Sequence, residues 1–350
     1  MDILTAHRAR YPLMEVRDCV KLLYQAEFGG GHFVQDAQRA LERLKEEMSS
    51  APAPDMPLFE DIGQGMRRMR IHENPLSSET VNELFVRCAA EIRGNTERFL
   101  EKLKALPESA YIEQYIASGC PAVSHSDGYR AAYHPAYRVV AGICEAFFPL
   151  ILAIDKALSE RDFVLVGIDG MAASGKSTVA QFLADVFGAS LFHMDDFFLP
   201  FDMRSDARLA EAGGNVHYER FKEEILEPLK RRVPFSYRPF DCGTGEFAGE
   251  IAVAPSRLAI VEGAYAFHPH FASPYDLTAF FAIDPALQRA RIEKRNGREM
   301  LKRFVDEWIP MENTYCEAYS VKERSDFVFA AEDGFSGDAL RCEKRTVCGG

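Results

Sequence analysis

The stretch Phe163-Val-Leu-Val-Gly-Ile168, followed by Gly170-Met-Ala-Ala-Ser-Gly175-Lys176-Ser177-Thr178, decides the fold of the second half of this 350-residue chain. A continuous apolar run with β-branched residues is typical of a buried parallel strand. The glycine-rich segment fits the pattern GxxxxGK[ST], and a helical pattern begins directly at Lys176. Strand, loop and helix in this order predict a phosphate-binding loop, because its backbone N–H groups and the helix N-terminus point at phosphate oxygens.

This loop predicts that the protein binds ATP together with Mg²⁺. Lys176 should reach the β- and γ-phosphates, and the Ser177 hydroxyl should bind Mg²⁺. A glycine-rich turn with a solvated lysine is the alternative, and the position between a strand and a helix disfavours it. The guanine-reading pattern NKxD is absent from the sequence, which disfavours a GTPase. The residues expected to contact ATP are Gly170, Ala172, Ala173, Ser174, Gly175, Lys176, Ser177 and Thr178.

Carboxylates follow two further apolar runs. Asp195 and Asp196 come after Leu191–Met194, and Glu262 comes after Arg257–Val261. In open α/β sheets, ligands collect at the carboxyl ends of the strands. Asp195 is therefore a candidate general base and magnesium ligand, and Glu262 a candidate for orienting magnesium waters. For the aspartate pair, the alternative is a solvated turn that caps a helix.

Arginines crowd the predicted helix from Pro285 to Asp306. Arg291 and Arg295 are four residues apart and share a helix face. An arginine helix that closes over the γ-phosphate would neutralise transition-state charge and exclude water. The alternative is an exposed helix covered with salt bridges.

Apolar runs alternate with helical patterns throughout the second half, which predicts an α/β domain with a parallel sheet and helices on both faces. The first half instead predicts a mostly α-helical domain. We place the boundaries at residues 1–158, 159–334 and 335–350, with a poorly ordered tail as the last part. The further strands are predicted at Thr278–Ile283 and Phe327–Ala330, and helices at Val16–Phe28, Phe33–Met48, Ser78–Ile92, Thr96–Leu106, Ser109–Ala117, Val139–Leu158, Lys176–Phe187 and Tyr218–Arg232.

The second half resembles the uridine kinase, phosphoribulokinase and nicotinamide riboside kinase group of P-loop kinases, on the motifs GMAASGKST, MDDFF, VEGAY and RARIEKRNGR. The resemblance implies ATP-dependent phosphorylation of a hydroxyl on a small molecule, a nucleoside or related riboside first. It implies Asp195 as the base, Ser177 with Glu262 for Mg²⁺, and Arg291 and Arg295 as the lid, with Lys176 at the transferred phosphate. A kinase for a cofactor precursor or a sugar phosphate is the alternative within enzymes.

The segments GGNVHYERF and YRPFDCGTGEF resemble the acceptor region of that group. They depart from uridine kinases, which carry a His after a Tyr-Asp-Phe segment where this chain has Cys242 and Gly243. The resemblance thus predicts the reaction class and leaves the acceptor open. The candidate substrate-binding residues are Asp196, His217, Tyr218, Arg238 and Asp241.

The first half carries a polar cluster of its own. His32, His125, Arg130 and Arg138 are candidates for binding an anion, such as a phosphorylated metabolite or an RNA phosphate. The alternative is packing of amphipathic side chains. For the whole protein, the alternative to a kinase is an ATP-binding regulator whose helical domain binds a partner or RNA. A regulator that only switches with nucleotide would not need Asp195 together with Arg291 and Arg295.

Composition limits the partners. The formal net charge is −12, so bulk nucleic-acid binding is not expected. Eight scattered cysteines without zinc-ligand spacing are typical of reduced thiols in a cytoplasmic protein. The longest apolar run contains Pro149 and is too short to span a bilayer, so no membrane partner is expected. A homo-oligomer is compatible with the sequence, and a small-molecule hydroxyl acceptor is the expected partner.

Overall fold

The computed structural model describes residues 2–31, 34, 36–50, 55–107, 109–331 and 340–344. The chain divides after Phe148 into two compact units, the second of which begins at Pro149. The sequence places this boundary ten residues later, because the apolar pattern of the intervening helix runs on from the first half without a break. His32 and residue 33, where we predict a helix to begin, lie outside the described residues.

The first unit combines helices with a small antiparallel sheet of order β1-β2-β3. The Ser77, Asn95, Ser109 and Ser126 side chains each cap a helix by accepting a backbone N–H. The elements are α1 (Ile3–Arg10), α2 (Val16–Phe28), α3 (Ala37–Ser50), β1 (Phe59–Gly63), β2 (Met66–Arg70), α4 (Ser78–Glu91), α5 (Thr96–Lys104), α6 (Ala110–Ala117), α7 (Asp127–Tyr133), β3 (Tyr137–Ala141) and α8 (Gly142–Ala146).

The sheet of the first unit is the main element that the sequence does not predict. Strand β2 reads Met-Arg-Arg-Met-Arg, a charged pattern, yet four of its five residues are buried. Arg67 bonds Asp61 and Glu145, and Arg68 bonds Glu60, so ion pairs compensate the buried charges. The predicted helix over 139–158 is wrong at its start, because Tyr137–Ala141 pairs with β2 in the antiparallel sheet.

The second unit contains the predicted α/β domain. Its elements are α9 (Phe148–Glu160), β4 (Val164–Gly170), α10 (Lys176–Phe187), β5 (Ser190–His193), α11 (Asp206–Leu209), α12 (Tyr218–Phe221), α13 (Glu227–Arg231), β6 (Phe235–Tyr237), β7 (Phe240–Asp241), β8 (Glu246–Phe247), β9 (Ile251–Val253), β10 (Leu258–Glu262), β11 (Leu277–Ile283), α14 (Pro285–Arg303), α15 (Ile309–Ala318), α16 (Val321–Arg324), β12 (Phe327–Ala331) and β13 (Leu340–Lys344). Stretches of π-helix at Lys222–Leu226 and Phe304–Trp308 continue α12 into α13 and α14 into α15.

The main sheet has the order β13-β12-β11-β4-β10-β5, and all its strands except β13 are parallel. β4 and β10 are buried at every position, as expected for central strands of a parallel sheet. The prediction of an α/β P-loop domain preceded by a mostly helical region is confirmed. β13 runs antiparallel to β12 within the tail, where the sequence predicts poor order; backbone pairing along the sheet edge holds this strand.

Within the described ranges, no helix has both the length and the apolar character that crossing a bilayer requires.

Candidate active site

The loop between β4 and α10 has the geometry of a phosphate-binding loop. Gly170 (φ +150°) and Gly175 (φ +98°) adopt backbone conformations that disfavour L side chains. A Cβ at Gly170 would come within 2.4 Å of the Phe281 carbonyl oxygen on β11, so this position requires glycine. Gly175 forms the N-cap of α10 and places Lys176 at the first helical position. The helix N-terminus therefore faces the loop, as an anion site requires.

Three strand ends bring the catalytic candidates together. In the parallel register, Glu262 at the end of β10 lies opposite Ile168 of β4 and His193 of β5. The Ser177 hydroxyl donates to Glu262 Oε2 at 3.0 Å, and His193 Nδ1 lies 2.6 Å from Glu262 Oε1. This hydrogen bond raises the pKa of His193. Glu262 is itself only 4% exposed, so its two partners fix its orientation.

Asp195 lies in the 3-10 turn Met194–Phe197 that follows β5. The surrounding protein removes part of its hydration, which raises the pKa of Asp195, while the positive charge of Lys176 opposes this shift. Glu262 and Arg295 also act on Asp195 electrostatically, in opposite directions. The structure thus brings Asp195, Lys176 and Glu262 into one electrostatic neighbourhood. Lys176 Nζ reaches the Met171 carbonyl oxygen at 3.4 Å.

Helix α14 places one of the two candidate arginines against the phosphate-binding loop. Arg291 donates to the Ala173 carbonyl oxygen at 3.2 Å, and the buried Gln288 donates to the Ala172 carbonyl oxygen at 3.0 Å. Arg295 is exposed and bonds the side chain of Asn296 at 2.7 Å. Gly297 (φ 81°, ψ 170°) interrupts the helix directly afterwards. Both candidate arginines therefore lie in the segment before the break.

Helix α15 contributes two site residues that the sequence does not predict. Glu312 Oε2 accepts the backbone N–H of Ala172 at 2.9 Å, and burial raises the pKa of Glu312 to about 7. Tyr315 donates to Asp169 Oδ2 at 2.8 Å. Asp169 also accepts backbone N–H groups from Gly170 at 2.7 Å and Phe267 at 3.0 Å. Burial nevertheless raises the pKa of Asp169 to about 6. A usable signal was the spacing of Glu312 and Tyr315, which puts a carboxylate and a phenol on one helix face.

The acceptor candidates fall into two groups. Arg220 donates to the backbone carbonyl oxygens of Asp196 at 2.7 Å and Arg238 at 2.6 Å, which holds these two segments together. The hairpin of β7 and β8 contains Asp241; the negative charges of Asp195 and Asp241 both act on Cys242. This hairpin therefore lies in electrostatic range of Asp195.

The other two candidates have structural partners. His217 caps α12 by accepting the Arg220 N–H at 3.2 Å. Tyr218 stacks on His268 at 4.3 Å between ring centroids and donates to Glu211 at 3.0 Å. Tyr218 is thus part of a separate cluster with Arg208, whose guanidinium carbon lies 3.7 Å from the centre of its ring.

The anion candidates of the first unit are only partly brought together. His125 and Arg138 line one cavity, whereas Arg130 is exposed and pairs with Asp127 at 2.7 Å. The same cavity is also lined by Lys21 and Arg43, two cations that no motif in the sequence marks. The signal for Lys21 was available in α2, because Asp18, Lys21 and Gln25 recur at helical spacing and form one polar face.

The loop fits a nucleotide triphosphate and its magnesium ion. The Ser174 hydroxyl is buried and finds no protein partner among the described residues, so a ligand oxygen could satisfy it. Over the same residues, no group of three or more His, Cys, Asp or Glu side chains is arranged to hold a metal ion by itself. A P-loop needs no such group, because the phosphates and one hydroxyl supply most of the oxygen ligands.

No family model matches the chain. Among solved structures, the chain is similar to a possible uridine kinase from Bacillus stearothermophilus, with 19% identity over 51% of this chain and 98% of that one and a TM-score of 0.39. It is also similar to D-glycerate 3-kinase from Cryptococcus neoformans, with 13% identity over 58% and 99% of the two chains and a TM-score of 0.39. Shikimate kinase from Bacteroides thetaiotaomicron matches with 15% identity over 50% and 92% of the chains and a TM-score of 0.28. Each likeness covers between 50% and 58% of this chain.

Proposed function

We propose that the second unit transfers the γ-phosphoryl group of ATP to a hydroxyl of a small molecule. The acceptor class that we favour is a nucleoside or a related riboside. The observation that carries this proposal is the placement of Asp195, directly after β5, at the same carboxyl end of the sheet as Lys176 and Glu262. A phosphate-binding loop that only senses nucleotide has no need of a carboxylate there. A phosphotransferase does, because the acceptor hydroxyl must lose its proton during attack.

Each residue of the site has a definite task in this proposal. Lys176 and the loop N–H groups bind the phosphates, and Arg291 neutralises charge that develops on the transferred group. Ser177 and Glu262 would hold Mg²⁺, which supplies charge neutralisation when it is bound. Asp195 takes the proton of the acceptor hydroxyl, and its raised pKa makes it a stronger base than an ordinary carboxylate.

A ring-containing acceptor is supported by aromatic side chains on and against the hairpin of β7 and β8, which is in electrostatic range of Asp195. Phe201 is 53% exposed and Phe247 is 40% exposed, although both belong to clusters around the buried Phe240. The guanidinium groups of Arg204 and Arg238 lie over these two rings, at 4.4 Å and 5.1 Å from the ring centres. The arginines cover part of both rings, and the aromatic surface that stays exposed beside these cations favours a planar heterocycle over an aliphatic chain.

The proposal is tested by ATP turnover of the full chain with nucleosides, other ribosides, cofactor precursors and sugar phosphates as acceptors. We expect one acceptor class to support turnover. Activity only with a cofactor precursor or a sugar phosphate would replace the riboside and keep the reaction. Tight ATP binding without turnover on any acceptor would instead favour the ATP-binding regulator, whose first unit binds a partner or RNA.

Two variants test the assigned roles once an acceptor is found. Lys176→Ala should lower turnover by roughly 10²-fold or more with the fold intact. Asp195→Asn should abolish transfer and retain ATP binding. Lys230→Ala and Asp162→Asn are matched controls, since both side chains are exposed and Asp162 precedes β4, at the opposite end of that strand from the phosphate-binding loop. Loss of ATP binding in Asp195→Asn would show that Asp195 is chiefly structural.

A further inference from the structure

The first unit contains a cavity that the proposed phosphotransferase does not use. Its volume is about 180 Å³, which is far more than one water molecule needs. Its charged lining consists of Lys21, Arg43, Arg138 and Glu47. Three cations against the carboxylates of Glu47 and of Asp18, which acts electrostatically on Lys21, leave an excess of positive charge, although the protein as a whole carries a formal charge of −12. A positively charged cavity in an otherwise acidic protein indicates an anionic ligand.

Two of the cations already bind a carboxylate. Arg138 Nη1 lies 2.8 Å from Glu47 Oε2, and Arg43 Nε lies 3.3 Å from Glu47 Oε1. The Glu47 carboxylate thus bridges two guanidinium groups in the way a phosphate or carboxylate ligand would. Glu47 is 37% exposed, so it can turn out to solvent and leave both arginines to a ligand.

Lys21 supplies the third cation from a buried position. It is only 6% exposed and donates to the Val123 carbonyl oxygen at 2.9 Å. The Asp18 carboxylate also acts on the Lys21 ammonium electrostatically and compensates part of the cost of burying its charge. Burial lowers the pKa of Lys21 to about 8, a shift that an anionic ligand in the cavity would offset.

A fixed polar network forms the cavity wall beside these cations. Asp18 accepts from His125 Nδ1 at 2.8 Å, and His125 Nε2 lies 2.6 Å from the Tyr137 hydroxyl. Arg68 donates twice to Gln25 Oε1, at 3.1 Å and 2.9 Å, and the Tyr137 hydroxyl lies 3.2 Å from the same oxygen, which fixes the orientation of the amide and the hydroxyl. Hydroxyl and amide groups held in one orientation can select the hydroxyl groups of a ligand. Apolar contacts come from Phe85, Pro135 and Val139.

We propose that this cavity binds a small phosphomonoester with a hydroxylated body. The phosphate would displace Glu47 from Arg43 and Arg138, with Lys21 as its third cation, and the body would contact Tyr137 and Gln25. A phosphate dianion matches the excess of cations better than a single carboxylate does. The cavity volume limits the ligand to a small molecule and disfavours an RNA strand.

Calorimetric titration of the full chain tests this site. The Lys176→Ala background weakens phosphate binding at the P-loop, and the probes are inorganic phosphate, glycerol 3-phosphate, glycerate and glycerol. We expect glycerol 3-phosphate to bind more tightly than inorganic phosphate and glycerate, and glycerol not to bind. Arg138→Ala should weaken the binding of glycerol 3-phosphate at least about tenfold.

The control is Arg130→Ala, because Arg130 lies in the same stretch of sequence, is exposed and does not line the cavity. Arg43→Ala serves as a second test variant, since its side chain is 69% exposed and its loss should not prevent folding. Equal weakening by Arg130→Ala, or no binding of either phosphate, would overturn the proposal. Tighter binding of glycerate, or Arg138-dependent binding of a short oligoribonucleotide in preference to every phosphate probe, would also overturn it.

Discussion

The Glu312 carboxylate lies against a loop that favours phosphate binding, and in its ionised form it would weaken that binding. It accepts the Ala172 N–H of the phosphate-binding loop, and burial raises its pKa to about 7. An ionised Glu312 repels a polyphosphate, whereas a protonated one does not. Because the carboxyl group loses its proton as pH rises through 7, the repulsion should be weak at pH 6 and strong at pH 8.

We therefore expect Glu312→Gln to bind ADP more tightly than the wild type at pH 8, by several-fold, with a smaller difference at pH 6. Fluorescence or calorimetric titration at both pH values measures this. Glu317→Gln is the control, because Glu317 is exposed on the same helix. An equal difference at the two pH values would mean that Glu312 does not titrate in this range.

His125 makes a second prediction at the scale of one residue. Burial lowers its pKa to about 3, below the value of 6.5 in an unfolded chain. Between these pH values the unfolded chain holds a proton that the folded protein does not hold. The free energy of unfolding should therefore fall on acidification from pH 6.5, by up to about 1.4 kcal/mol per pH unit.

Denaturant unfolding at pH 7, 6 and 5 tests this prediction. His125→Asn removes the titrating group and should reduce the slope of stability against pH. His134→Asn is the control, since His134 is exposed and its left-handed backbone (φ 43°) is one that asparagine tolerates. An unchanged slope in His125→Asn would contradict the assignment of the neutral form to His125.

At the scale of elements, the break in α14 separates the segment with the two candidate arginines from the rest of the helix. Gly297 has φ 81° and ψ 170°, and a Cβ there would meet nothing within 4 Å. Only backbone strain therefore opposes another residue at this position. Gly297→Ala should lower the free energy of unfolding by about 1–2 kcal/mol, or straighten the helix and lower phosphoryl transfer. Glu299→Ala is the matched control, because Glu299 is exposed in the same helix beyond the break. Chemical denaturation together with turnover measures both effects. No change in either quantity would show that the break has no role.

The strands that can be predicted from the sequence are those whose buried residues form a continuous apolar run. The runs that lead to Gly170, to Asp195 and to Glu262 form β4, β5 and β10 within one or two residues of the predicted positions. β2 does not follow from the pattern because its arginines are buried through ion pairs, with Glu60 on the neighbouring strand β1 and with the distant Glu145, and no apolar alternation marks such a strand.

In the candidate sites, too, residues that belong to a contiguous motif could be predicted, and residues brought in by packing could not. The P-loop was predictable because its glycines, lysine and serine are contiguous in sequence. Glu312 and Lys21 are marked only by the helical spacing of polar residues around them, because each reaches its site through the packing of its helix and no contiguous motif surrounds it. Arg130 and Arg138 are close in sequence, yet only Arg138 lines the cavity, since α7 and β3 direct the two side chains differently.

At the scale of the whole molecule, the two units have separate cores. We therefore expect each unit to be stabilised against unfolding by its own ligand. The only tryptophan, Trp308, belongs to the second unit and reports its unfolding. ADP at about 100 times its Kd should stabilise the transition seen by Trp308 by about 2.7 kcal/mol. Glycerol 3-phosphate should leave that transition unchanged in the Lys176→Ala variant. Far-ultraviolet circular dichroism follows both units, and one shared transition that both ligands shift equally would contradict separate cores.

The parallel register of β4, β10 and β5 has a consequence for how this chain can vary. Glu262 lies opposite Ile168 and His193, and successive strand residues point to opposite sides of the sheet. Insertion or deletion of a single residue inside β10 would turn the Glu262 carboxylate away from Ser177 and bury a charge on the wrong side. The length of this strand is therefore as constrained as the identity of its last residue, and changes in length should be confined to the connecting loops.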